Sequence, residues 1–135
     1  MTESRDQRHL GYIRASIQLI GDYAREGGKD AFLTEPLVQD AVLRRLETLA
    51  EAAGKLSEAV KERHPEIPWR AVVGFRNIAA HAYLDLLADR AWEIVDRYLP
   101  PLLAAVEAEL GPAPDAARGG QSGAAPGGPS MPGID

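Results

Sequence analysis

The chain has 135 residues, with 20 acidic and 15 basic side chains, a net charge of −5 and no cysteine. That length suits one domain with a core that needs no covalent staple. The absence of cysteine excludes a disulfide framework, thiolate chemistry and Cys-based zinc sites, and the charge argues against coating nucleic acid by bulk electrostatics. A few cations gathered in one cleft remain compatible with it. Met1 to His9 is polar, without the apolar centre of a secretory leader, and no run of about 18 apolar residues occurs, so a cytoplasmic protein with no membrane span is expected.

The first helix is expected from about Arg5 to Glu26. Its apolar residues Leu10, Ile13, Ile17, Ile20 and Tyr23 step by three and four, and Gly27-Gly28 stops it. The second starts near Thr34, a suitable N-cap, with Pro36 in its first turn. Val42, Leu46, Leu49, Ala53, Leu56 and Val60 form a heptad-like seam, and His64-Pro65 ends the helix. Gly54 inside it costs about 1 kcal/mol relative to alanine, which close approach of another helix would explain.

Pro68 suits the first position of a third helix, which holds Trp69, Val72, Val73 and a polar cluster and frays between Tyr83 and Ala88. Asp89 is placed to cap a fourth, with Trp92, Val95, Leu99, Leu102, Val106 and Leu110 as its apolar stripe. Pro100-Pro101 must kink or break this helix. No comparable strand pattern appears. The expected fold is all-α: a four-helix up-and-down bundle, five-helix if the last helix breaks, over residues 1–110. From Gly111 to Asp135, seven Gly and five Pro among 25 residues leave too little apolar surface to offset ordering, so 111–135 reads as a disordered tail.

The polar cluster runs Arg76-Asn77-Ile78-Ala79-Ala80-His81-Ala82-Tyr83. Arginine carries a permanent charge and a fork of donors that fits phosphate. Histidine moves protons near neutral pH. RNA cleavage by the neighbouring 2′-OH needs a base, an acid and positive charge on the phosphorus, so His81 and Arg76 suit it without a metal or cofactor. Asn77 can support His81 or donate to phosphate, and Tyr83 can bond a phosphate or stack on a base. On an ideal α-helix Asn77 and His81 share a face, while Arg76 and His81 lie about 140° apart. A homodimer would resolve that separation by setting two Arg76 and two His81 around one cleft.

Plainer readings stand beside these. Arg76 can pair with Glu47 or Glu51, Asn77 can be a surface amide, His81 can cap its helix, and Tyr83 can be a partly buried aromatic. Arg44-Arg45 reads as a solvated helix face. His9 and His64 stand alone, and the three histidines lack metal-ligand spacing.

The run from Ile67-Pro68-Trp69 through Gly74-Phe75-Arg76-Asn77 to His81-Ala82-Tyr83 resembles the signature of the HepT-like toxins of the HEPN superfamily. Asp40 to Glu47, Glu51 to Ser57, Trp92 to Val95 and Leu99-Pro100 fit as well, so the resemblance covers about residues 5 to 110. It implies a HEPN-type helical bundle that forms a homodimer and acts as a metal-independent endoribonuclease, the toxin of a toxin–antitoxin pair. It implies Arg76 and His81 as catalytic, Asn77 as supporting and phosphate-binding, and RNA as substrate. It further implies an MntA-type nucleotidyltransferase antitoxin as partner, with Tyr83 as the adenylylation site. Ala82 departs from relatives that often carry an acid there, and the Gly/Pro tail is additional to the family domain. A reading from another class keeps the same cleft as a non-catalytic module that binds nucleotide or a nucleotidyltransferase partner.

Overall fold

The computed structural model describes residues 2–25, 28–80 and 84–111. Of the tail expected over 111–135, Gly111 is described, its N–H closing the last helix on the Glu107 carbonyl; the remainder lies outside the described residues, as do His81, Ala82 and Tyr83. Helix α1, Thr2–Arg25, buries Leu10, Ile13, Ile17 and Ile20 as its three- and four-residue steps dictate, but the stripe closes on Ala24, and Tyr23 is only half-buried. The chain turns through Gly28, whose φ of 77° suits glycine.

A short helix α2, Gly28–Thr34, follows where none was expected. Its anchor is Phe32, 1% exposed and tilted against the Trp92 ring at 5.4 Å. Thr34 does not cap the next helix. Its hydroxyl donates back to the Asp30 carbonyl at 3.0 Å and so closes α2. Gln39 Nε2 satisfies the Phe32 carbonyl at 2.9 Å.

Helix α3, Pro36–Gly54, has Glu35 at its N-cap and buries Val42, Leu46, Leu49, Ala50, Ala52 and Ala53. It does not continue to His64. Lys55 to Ser57 interrupt it, and α4 runs from Glu58 to Arg63. The cause is a tertiary contact. Asp6 of α1, 6% exposed, accepts from the Ser57 backbone N–H at 2.9 Å and from its hydroxyl at 2.6 Å. Ser57 in turn caps α4 by accepting from the Val60 N–H at 3.4 Å. Leu56 and Val60 stay buried, so the apolar seam survives the break. A Cβ on Gly54 would meet Val73 at 3.7 Å, an ordinary contact, so packing does not require glycine there.

Helix α5, Trp69–Gly74, begins one residue after Pro68, which takes the N-cap position. The Trp69 indole donates to the carbonyls of His64 at 3.0 Å and Lys61 at 3.2 Å, so the Ile-Pro-Trp run fastens the end of α4. A 3-10 helix, Phe75–Ala80, completes this stretch.

Helix α6, Leu84–Glu93, contains Asp89 within it, not at its cap. The π turn Ile94–Tyr98 and helix α7, Leu99–Leu110, continue without a break. Pro100 and Pro101 have no N–H to give, and the Leu99 N–H instead closes a wide turn on the Ile94 carbonyl. The extra residue shifts the buried stripe to Ala91, Ile94, Leu99, Leu102, Ala105 and Val106, leaving Trp92, Val95 and Leu110 half-buried. Helix α1 packs on both α3 and α7. Among the described residues there is no strand, and no helix is long and apolar enough to cross a membrane. Among the described residues the architecture is an all-α bundle, with the four expected helical stretches present, the second divided into α3 and α4, and α2 added.

Candidate functional site

The segment that carries Arg76 is held from below by two apolar residues. In a 3-10 helix, positions three apart stand directly above one another. Phe75 and Ile78 have that spacing, and both are buried. Phe75 meets the Tyr98 ring edge-on, with centroids 5.5 Å apart and planes at 80°. The segment packs against α3 and α6. Arg76 and Asn77, between the two anchors, are turned to solvent.

The ideal α-helical angles expected for this cluster therefore do not apply through residue 80. At about 120° per residue, a 3-10 helix redistributes every side chain around its axis. The placements of His81 and Tyr83 fall outside the described residues. The pairing of Arg76 with Glu47 or Glu51 is not formed. Among the described residues no carboxylate pairs with Arg76, and Glu47 instead lies 3.8 Å from Arg44. An exposed guanidinium without a resident acid keeps its fork available to an incoming phosphate.

His64 does not stand alone. Its Nε2 lies 2.7 Å from Glu109 Oε2, and Arg63 grips the same carboxylate with two bonds of 3.0 and 2.8 Å. The Arg63 fork, with His64 adding to it, outweighs the opposing effect of burial and pulls the Glu109 carboxyl down to about 2. This cluster ties the last turn of α7 to the end of α4 and is structural. Among the described residues no group of three or more His, Cys, Asp or Glu is placed to hold a metal ion.

Arg44 is the solvated residue its sequence suggested, but Arg45 is half-buried beside Tyr12 in a groove between α1 and α3. Nothing in the local sequence joins Tyr12 to Arg45 and Thr48; only the packing of α1 on α3 does so.

Residues 13–109 match the model of the HepT-like ribonuclease family. A probable ribonuclease HepT of Thermococcus cleftensis is 35% identical over 94 residues, covering 70% of this chain and 86% of the relative. A "gamma-glutamylcyclotransferase and putative RNase" of Methanocaldococcus jannaschii is 34% identical over 94 residues, again 70% of this chain. The chain spans only 42% of that protein's length. A further M. jannaschii protein, a "putative RNase", is 29% identical over 104 residues, covering 76% of this chain and 95% of the relative. No solved structure matches. The fold, the Gly-Phe-Arg-Asn segment and the extent of these matches agree, and the chain belongs to the HepT-like ribonuclease family of the HEPN superfamily.

Proposed function

We propose that this chain is a metal-independent endoribonuclease, the toxin of a toxin–antitoxin pair, acting on cytoplasmic RNA as a homodimer. The observation that carries the reading is Arg76: exposed, fixed by Phe75 and Ile78 on either side, and paired with no described carboxylate, in a chain of the HepT-like family. The 2′-OH attacks the adjacent phosphorus, the 5′-oxygen leaves, and a 2′,3′-cyclic phosphate remains. His81 moves the proton, and Arg76 donates its fork to the phosphoryl oxygens as their charge builds. Asn77 supports His81 or the phosphate. A second copy brings a second Arg76 and His81 to the same cleft.

Tyr83 is the switch. An MntA-type nucleotidyltransferase antitoxin joins the tyrosine oxygen to the α-phosphorus of ATP, and pyrophosphate leaves. The resulting adenylyl group is a bulky anion two residues from His81. It offers Arg76 a phosphate in place of the RNA backbone and so blocks the cleft with an imitation of the substrate.

The test expresses the chain alone beside Arg76→Ala and His81→Ala. Growth arrest and RNA cleavage by the parent, lost in both variants, are expected. Equal toxicity in all three, or none in any, overturns the nuclease reading and leaves the helical binding module. For the switch, intact mass after co-expression with a neighbouring nucleotidyltransferase gene should rise by one adenylyl group, absent in Tyr83→Phe. No adduct, or an adduct that leaves cleavage intact, rejects it.

A further inference from the structure

The groove between α1 and α3 carries chemistry that the nuclease reading does not use. Two adjoining hollows of about 380 and 310 Å³ share Tyr12 and Thr48. The larger is lined by Tyr12, Tyr23, Arg44, Arg45 and Thr48 around Ala41, and the smaller adds His9, Lys55 and Glu51. Tyr12 is a large apolar-bodied side chain left 40% exposed. Its phenol is held below the ordinary range, chiefly by the Thr48 hydroxyl, with the Ser16 hydroxyl and the Arg45 guanidinium adding to that effect and burial opposing it.

The charges of the larger hollow suit an anion, and a buried hydroxyl beneath it orients the Tyr12 phenol. Ser16 is 1% exposed, and among the described residues its hydroxyl has no partner besides the neighbouring Tyr12 phenol. Among the described residues Arg45 pairs with no carboxylate, and the exposed Arg44 has only the half-buried Glu47, 3.8 Å away. Acid is present in the smaller hollow as Glu51, so the larger one is the positive end of the groove. On a chain of net charge −5 such a local patch is where an anion is drawn. Cations along a groove with flat aromatic faces beside them are the usual means of holding a single strand, with phosphates on the charges and bases on the rings.

We propose that the α1–α3 groove is a second nucleic-acid contact: it holds the backbone of single-stranded RNA, with a phosphate between Arg44, Arg45 and the Tyr12 hydroxyl and a base on the ring of Tyr12 or Tyr23. The choice of RNA rests on the nuclease reading above; the phosphate chemistry does not. Arg45 supplies the fork, Arg44 a second charge, and Tyr12 a donor. Ser16 positions the Tyr12 phenol. Helix α3 links this groove to the 3-10 segment that carries Arg76, since both pack against it.

A fluorescein-labelled 2′-O-methyl oligonucleotide of mixed sequence tests the groove, because it cannot be cleaved through a 2′-OH. Its binding is read by fluorescence polarisation at several salt concentrations. Arg45→Ala and Arg44→Ala should each weaken binding on the order of tenfold and make the salt dependence shallower by about 0.7 per lost phosphate contact. Arg44→Lys should retain most of the affinity. Tyr12→Phe should weaken binding less than Tyr12→Ala, because the ring remains. Ser16→Ala should weaken binding while leaving the melting temperature equal or higher, a split that a purely structural hydroxyl would not give. Thermal unfolding of each variant shows that it is folded.

Unchanged affinity and salt slope in folded Arg45→Ala and Tyr12→Ala overturn the proposal. Binding of AMP or inorganic phosphate that depends on Arg45, with no binding of the oligonucleotide, also overturns it and assigns the hollow to a small phosphate ligand. Arg45-dependent strand binding without any RNA cleavage leaves the groove standing and removes the nuclease reading. Cleavage with Arg45-independent binding does the reverse.

Discussion

The ring of Phe75 meets that of Tyr98 edge to face at 5.5 Å, and the contact joins the residue next to Arg76 to the π turn before the paired prolines. The position of the candidate catalytic arginine therefore depends on a segment more than twenty residues further along the chain. Replacing Tyr98 by Leu removes the ring contact and keeps the apolar bulk. It should cost about 1 kcal/mol in a denaturant titration. RNA cleavage, measured well below the melting temperature, should fall by about tenfold or more, because small displacements of a positioned group are expensive in rate. Full activity in a Tyr98→Leu protein that is measurably less stable would show that the contact only packs. Phe75→Ala, which empties a buried site, should cost about 3–5 kcal/mol.

Arg76→Lys separates charge from shape. Lysine keeps the positive charge and loses the planar fork that meets two phosphate oxygens at once. The exposed site accepts either side chain, so the melting temperature should not move. Cleavage should drop by about 10²-fold if Arg76 stabilises the transition state through paired hydrogen bonds. A lysine variant as fast as the parent would reduce the role of Arg76 to general attraction.

Asp6 and Ser57 hold the break between α3 and α4, and the bonds of 2.6 and 2.9 Å are buried enough to matter. Asp6→Ala leaves the Ser57 N–H without its partner and should destabilise the fold by about 2–3 kcal/mol. Ser57→Ala loses the cap of α4 as well as the contact, at a further cost of about 1 kcal/mol. The double variant should be clearly less destabilised than the sum of the singles. Additive losses would mean that the two residues act independently.

Glu109 makes stability depend on acid. Its carboxyl sits at about 2 in the folded chain against an ordinary 4.5, through the bonds from Arg63 and His64. A folded value below the unfolded one gives stability that is fully present above the unfolded pKa and is lost as pH falls through the folded one. The window is therefore from about 4.5 down to about 2. The Glu109 side chain is 15% exposed and Arg63 56%, so solvent screening trims the contribution to about 2 kcal/mol. Glu109→Gln should be less stable than the parent at neutral pH, and the gap should close across this window in urea titrations. A gap of constant size from pH 7 to pH 2 would assign the shift to other carboxyls.

Local patterns carried much of the fold. The stripe of α1 and the seam of α3 were legible because one apolar residue per turn leaves few ways to fold. The Ile-Pro-Trp and Gly-Phe-Arg-Asn residues marked the family. What stayed hidden depends on distant partners. Phe32 is one aromatic in a seven-residue helix, too short for a period, and is explained by Trp92. The end of α3 depends on Asp6, fifty-one residues from Ser57. Phe75 and Ile78 are three apart, a spacing that serves an α-helix and a 3-10 helix alike, so their exposed neighbours could not be oriented in advance. The prolines announced a disturbance near Leu99, but only packing decided that the helix would widen by one residue and continue. Tyr12 and Arg45 meet across two helices, and their neighbourhood is invisible in either one.

Helix α1 is covered by α3 on one side and α7 on the other, and Arg14 donates to the Gly111 carbonyl at 3.0 Å. Helix α1 thus waits for α7. Until α7 emerges, Ile17, Ile20 and their neighbours have only half of their cover, and a chain halted before Leu99 presents that apolar stripe to other chains. The long sequence separation of this closing contact makes completion of the bundle a late event in biosynthesis, and truncation or stalled translation a direct route to aggregation.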